Sequence, residues 1–281
     1  MITWMFALFS SACSSMQSAF TKLGSASSSK SGVLPFNTAK TGCAFAIFLM
    51  FSFVGFVPHK QTFVYSGIYA FSLVVSTFCG YMALMKGSMA ITSLIASYSV
   101  VIPVVYGFGF LKEPLFPIKL IGIALLLLSL FLFTKKNSKN TFQKRWIWYI
   151  GLTFFGNGIC SVIQKQHQSI YPGLYIKEFT LISFGIIFAF FAVVSLIRRE
   201  KPEISSLKYA IPAGVSMGGM NFLTLALSHH MDASVLFPAV TVFSAILNFA
   251  VSSVVFKEKF TFVQITGIVL GILSIMFIKG L

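Results

Sequence analysis

The chain has 281 residues, of which 57% are apolar, 10% charged and 33 phenylalanine, and its mean hydropathy is +0.88. A water-soluble domain of this size has too little interior to hide that much apolar surface, so a soluble enzyme, a disordered chain and a disulfide scaffold are excluded. The 21 Lys and Arg against 6 Asp and Glu sit in short connectors between apolar runs, which is a topology signal rather than a nucleic-acid surface.

A spanning helix needs about 20 mostly apolar residues. Ten runs meet this: 3–21, 35–57, 62–86, 89–111, 117–134, 146–164, 174–197, 206–228, 233–256 and 261–279. The first lacks a basic leader and is interrupted by serines, so it does not read as a cleaved signal peptide. Its Ser11, Ser14, Ser15 and Ser18 recur at helical spacing, with Gln17 beside them. The Ser-rich stretch Ser25 to Gly32 connects it to the second run, where Lys40 lies about a turn inside and is expected to snorkel to the headgroups, as is Lys177 in the seventh.

The third run carries a small-residue stripe, Ser72, Ser76, Gly80, Ala83 and Gly87, that suits close helix packing, and beside it Tyr81. Tyr98 and Pro103 lie in the fourth run, and the lysines 135, 136 and 139 divide the chain after the fifth. In the sixth, Thr153, Asn157, Cys160, Ser161 and Gln164 share a face. Arg198 to Pro202 closes the seventh. Met217, Asn221, Thr224 and Ser228 share a face of the eighth, and Thr241, Ser244 and Asn248 lie near one side of the ninth, beyond Pro238. All four histidines read as connector residues, and the His229–His230 pair is a poor metal site because adjacent side chains diverge. The four cysteines lie in apolar runs without metal-ligand spacing and read as buried free thiols.

The two halves resemble each other. At a spacing of 145 residues Lys112-Glu113 falls on Lys257-Glu258, Gly122-Ile123 on Gly267-Ile268, and Leu125, Leu128 and Ser129 on Leu270, Leu273 and Ser274. That is 7 identities over the 22 positions from 112 to 133. Lys22 and Lys165 close the first and sixth runs at equivalent places. The expected organisation is all-α, with a five-helix repeat over 1–140 and a second over 141–281. Five is odd, so the second repeat enters the membrane in the opposite sense, as in many secondary transporters.

With these features the chain resembles the ten-helix, EamA-type branch of the drug/metabolite transporter superfamily. The likeness rests on the 5+5 repeat, the Lys ending spans one and six, the Lys-Glu pairs followed by Gly122 and Gly267, and the segment Ser97 to Pro103. Many members have Gly where this chain has Lys before the Glu. The resemblance implies a cell-membrane secondary transporter of small metabolites or drugs, often an exporter, without ATP or another cofactor. No phosphate-binding G-x-x-x-x-G-K-[ST] motif occurs. It also implies a cavity lined by spans one, three, four, six, eight and nine. The candidate substrate-binding residues are Ser14, Gln17, Ser18, Tyr81, Tyr98, Asn157, Ser161, Asn221, Thr224, Thr241 and Asn248. The expected partners are a small-molecule substrate and the lipid bilayer, with a proton or sodium as the conceivable coupling ion. Monomer and dimer both stay open. The alternatives are a non-transporting scaffold or a channel-like protein, although no charged ring or filter motif is visible. A membrane enzyme would need catalytic or metal-binding clusters at depth, and the sequence offers none.

Fifteen of the 21 basic residues fall in the odd-numbered connectors and adjoining helix ends. The richer side belongs in the cytoplasm, so both chain ends are expected outside. A reporter fused after Leu281 that is active only outside the cytoplasm should work, and one active only inside should stay silent.

Overall fold

The computed structural model describes residues 2–26, 32–52, 55–57, 59–86, 96–114, 116–133, 144–200, 203–255 and 262–279. Every regular element among them is helical, as hydrocarbon demands of a chain whose backbone groups must be satisfied internally. The ten described helices are α1 (Ile2–Ala26), α2 (Val33–Ser52), α3 (Lys60–Lys86), α4 (Val101–Gly109), α5 (Pro117–Phe133), α6 (Lys144–Ile170), α7 (Ile176–Arg198), α8 (Ile204–Leu227), α9 (Ala233–Val255) and α10 (Phe262–Lys279). Five segments, within α2, α3, α6, α7 and α8, are long and apolar enough to cross a membrane. This marks a membrane protein. Shorter apolar helices cover Ala96–Gly109, Pro117–Ser129, Ala233–Asn248 and Ile265–Ser274. Residues 89–95 of the fourth expected span, the lysines that divide the chain, and Lys257-Glu258 lie outside the described residues.

The chain forms two compact units. One comprises Met1–Val74 and Gln166–His229, the other Val75–Lys165 and His230–Leu281. Each unit therefore draws on both halves of the sequence. In the first, α1 packs along α8, and α2 packs on α7 and α8. Phe48 of α2 stacks on Phe184 and Phe45 on Phe188. In the second, α5 packs along α10 and α4 on α9. There Ser129 donates to the Gly267 carbonyl at 2.7 Å. The small residues of α3 behave as packing: Gly80 faces Thr153, and Ala83 clusters with Trp146 and Ile150 of α6. The described cysteines are free, with Cys79 and Cys160 buried.

Two expectations change. His167 is not in a connector: α6 runs past 164 to Ile170, and His167 is buried inside it. Lys177 is exposed, but Lys40 is 3% exposed and does not snorkel. Its ammonium sits 5.9 Å from the centre of the Phe36 ring one turn earlier, within cation–π range. The cause lies in α8. Gly214 has no side chain, so α2 comes so close that a Cβ there would stand 2.2 Å from the Lys40 carbonyl oxygen.

Gly214→Val must drive α2 and α8 apart and should cost on the order of 1–3 kcal/mol. Gly67 has open space around it, so Gly67→Ala should be neutral or gain about 0.5–1 kcal/mol from helix propensity. Unfolding of both variants in lipid bicelles checks the contrast.

Candidate functional site

In the first unit the candidates fall on α1 and α8. Asn221 is buried, with both ends of its amide engaged: Nδ2 donates to the Met217 carbonyl at 2.8 Å, and Oδ1 accepts from the Tyr69 hydroxyl of α3. Thr224, one turn on, shares a 2.9 Å hydrogen bond with Ser10 of α1, whose hydroxyl also reaches the Met220 carbonyl at 3.2 Å. The face read from periodicity is thus real on α8, but its partners are Tyr69 and Ser10. Of the α1 candidates, Ser14 and Gln17 are half-buried and Ser18 is exposed. Ser18 bonds back to the Ser14 carbonyl at 3.0 Å.

In the second unit Asn157 of α6 accepts a hydrogen bond from Ser76 of α3, and Ser161 donates to the Asn157 carbonyl at 3.2 Å. Tyr81 is buried on α3, directly after Gly80 of the small-residue stripe. The Tyr98 hydroxyl reaches the Leu127 carbonyl at 3.1 Å. On α9, Thr241 bonds to the Phe237 carbonyl at 2.8 Å, and Asn248 is half-buried. The candidates therefore divide between the units: Ser14, Gln17, Ser18, Asn221 and Thr224 in one, and Tyr81, Tyr98, Asn157, Ser161, Thr241 and Asn248 in the other.

The densest charge arrangement was visible in the sequence only as a repeat marker. Glu113 is buried and accepts from the backbone N–H of Ala233 at 2.6 Å and of Ser234 at 3.0 Å. These are orphan donors of the first turn of α9, and the carboxylate lies where the helix dipole favours negative charge. Lys165 stands 3.8 Å from Glu113 and donates to the Met231 carbonyl at 2.6 Å. Lys119 pairs with Asp232 at 3.2 Å. Gly107 makes room for the carboxylate, since a Cβ there would stand 2.6 Å from it. Four charges of alternating sign thus fasten the start of α9 to the end of α6 and the α4–α5 connector.

The first unit also holds a groove of about 730 Å³ bordered by Pro35, Thr38, Gly42, Phe188, Arg199 and Leu207. None of the candidate residues lines it. Among the described residues no three His, Cys, Asp or Glu side chains gather as metal ligands.

No family model and no curated protein sequence matches the chain. A protein of known crystal structure is similar over 99% of this chain and 98% of its own, with a TM-score of 0.75 at 14% identity. At that identity the likeness establishes a shared fold and nothing about activity.

Glu113→Ala should cost on the order of 3–5 kcal/mol, because it strands a buried lysine and two helix-end N–H groups. Glu113→Gln keeps one acceptor oxygen and should lose less. A Glu113→Ala variant as stable as the wild type would show that the charge cluster contributes nothing to stability.

Proposed function

We propose that the chain is a secondary transporter of small organic molecules, built as ten spans in two inverted five-helix repeats and working by alternating access at a central site. The observation that carries this reading is how helix pairs exchange under the repeat. Exchanging the repeats turns span one into six and span eight into three. The first unit packs α1 on α8, and the second sets α3 beside α6 through Ser76–Asn157 and Ala83–Trp146. Spans that would be equivalent also pack on each other: α2 on α7, α4 on α9 and α5 on α10. Such self-complementary pairing suits two copies of one unit that interchange conformations. The EamA-type resemblance supplies the substrate class, the cell membrane as location, and export as the direction.

In this reading the solute is held by hydroxyls and amides beside aromatic walls. That suits a neutral, zwitterionic or flat aromatic molecule. Asn157 and Asn221 are the leading candidates, one in each unit, because an amide has four hydrogen-bonding sites and is costly to place in hydrocarbon.

A thermal-shift screen against a metabolite panel should identify a stabilising compound by mass action, and that compound should show saturable flux in proteoliposomes. Asn157→Leu and Asn221→Leu should each abolish that flux while the protein still inserts. Wild-type flux in both variants removes the asparagines from the site. A bound compound that is never carried argues for a scaffold instead.

A further inference from the structure

A hydrogen-bonded chain in the first unit is used by none of the foregoing. Thr62 of α3 stands between two imidazoles: its Oγ1 is 3.2 Å from His167 Nε2 and 3.3 Å from His59 Nδ1. The Thr62 backbone N–H also donates to His59 Nδ1 at 3.4 Å, so that nitrogen is an acceptor. The other nitrogen of His167, Nδ1, lies 3.1 Å from Gln168 Nε2.

Two backbone groups fix which end of the Gln168 amide faces the ring. Gln168 Oε1 accepts from the Gly173 N–H at 3.0 Å, and Nε2 donates to the Leu174 carbonyl at 3.2 Å. The backbone cannot reverse its polarity, so Nε2 must be the end beside His167. His167 Nδ1 must then accept, and its Nε2 carries the proton and donates to Thr62. Every link has one direction only, from Gln168 through His167 and Thr62 to His59.

We propose that His167 Nδ1 is a proton-binding site whose occupation opens the α6–α7 turn. A proton can add to the ring only at Nδ1. The new N–H then faces the donor end of the Gln168 amide, and two donors cannot share a bond. The amide must turn away, and in turning it releases the Gly173 N–H and the Leu174 carbonyl together. The turn is already poised to move: Gly173 has φ +71°, and Tyr175 holds φ +54°, which a non-glycine residue rarely adopts. Tyr175 is held there by its ring, stacked on His59 at 4.6 Å.

Among the described residues, no carboxylate contacts His167 to compensate an imidazolium. His167 packs against Phe179, Tyr65 and Tyr171, with ring centres 4.8, 5.9 and 5.6 Å away. Tyr171 donates to Gln61 and lies edge-on to His59. Glu178, the acid nearest in sequence, accepts from the Val57 N–H at 3.2 Å. Lys60 and Lys177 are exposed, and the His229 ring lies beyond Gly173. This inference does not depend on what the chain carries.

The test uses the full chain, labelled with ¹⁵N-histidine, in lipid nanodiscs. At about pH 7.5 nitrogen shifts should show His167 neutral with its proton on Nε2. Between about pH 7.5 and about pH 4, the Gly173 amide should exchange roughly tenfold faster after correction for intrinsic rates. His167→Gln should abolish the acid response. Gln168→Glu replaces the opposing donor with an acceptor, so His167 should already be an imidazolium at about pH 7.5. A proton on Nδ1 in the neutral wild type overturns the assignment. So does pH-independent Gly173 exchange, an acid response that survives His167→Gln, or a neutral His167 in the Gln168→Glu variant.

Discussion

A polar side chain carried into hydrocarbon must bring its partner with it, and that constraint organises this protein more than any single contact. Ten of the described hydroxyls meet the constraint at home. Ser11, Thr38, Thr41, Ser72, Thr153, Ser161, Thr180, Ser228, Thr241 and Thr266 each bond to the carbonyl four residues back on their own helix. Such a residue costs its helix little and asks nothing of a neighbour. The bonds that join helices are fewer, and they fall where backbones come close: Ser10 to Met220 and Thr224, Ser66 to Phe179, Ser76 to Asn157, Ser129 to Gly267.

This explains what could be read from the sequence and what could not. Runs of apolar residues located the helices well, because hydropathy and length are properties of a segment alone. Periodicity located polar faces equally well, and Asn221 and Thr224 do lie together. It could not say which hydroxyls are satisfied within their own turn. Ser18, Ser161 and Thr241 each bond to a carbonyl of their own helix. The sixth span was ended too early for a related reason. Gln164 to Gln168 is polar enough to read as a connector, but the helix continues because its side chains find distant partners. Lys165 finds Met231 and Glu113, and His167 finds Thr62. Lys40 was misjudged because its burial depends on a glycine 174 positions away.

Scarcity shapes the acids in the same way. The chain has six, and each of four described ones holds something in place. Glu113 binds the start of α9, Glu178 the Val57 N–H, Glu200 the Leu34 N–H at 3.3 Å, and Asp232 the Lys119 ammonium. Three of these four meet backbone N–H groups, donors that need an acceptor wherever helices begin or connectors turn. The Lys-Glu pair visible as a repeat signature is therefore a fastening first. Its partner on α9 lies 120 residues downstream, a distance at which no sequence motif reports contact.

The division of labour has a consequence for coupling. Glu113 already accepts two backbone hydrogen bonds, so its carboxylate is committed to the start of α9. The first and sixth spans carry no acid at all. Titratable groups that are not fastenings are few among the described residues, and the two imidazoles bridged by Thr62 are the ones already wired to a movable turn. Four acids hold backbone N–H groups or a lysine, so the proposed acid response is carried by an imidazole whose neutral form is the one the structure uses.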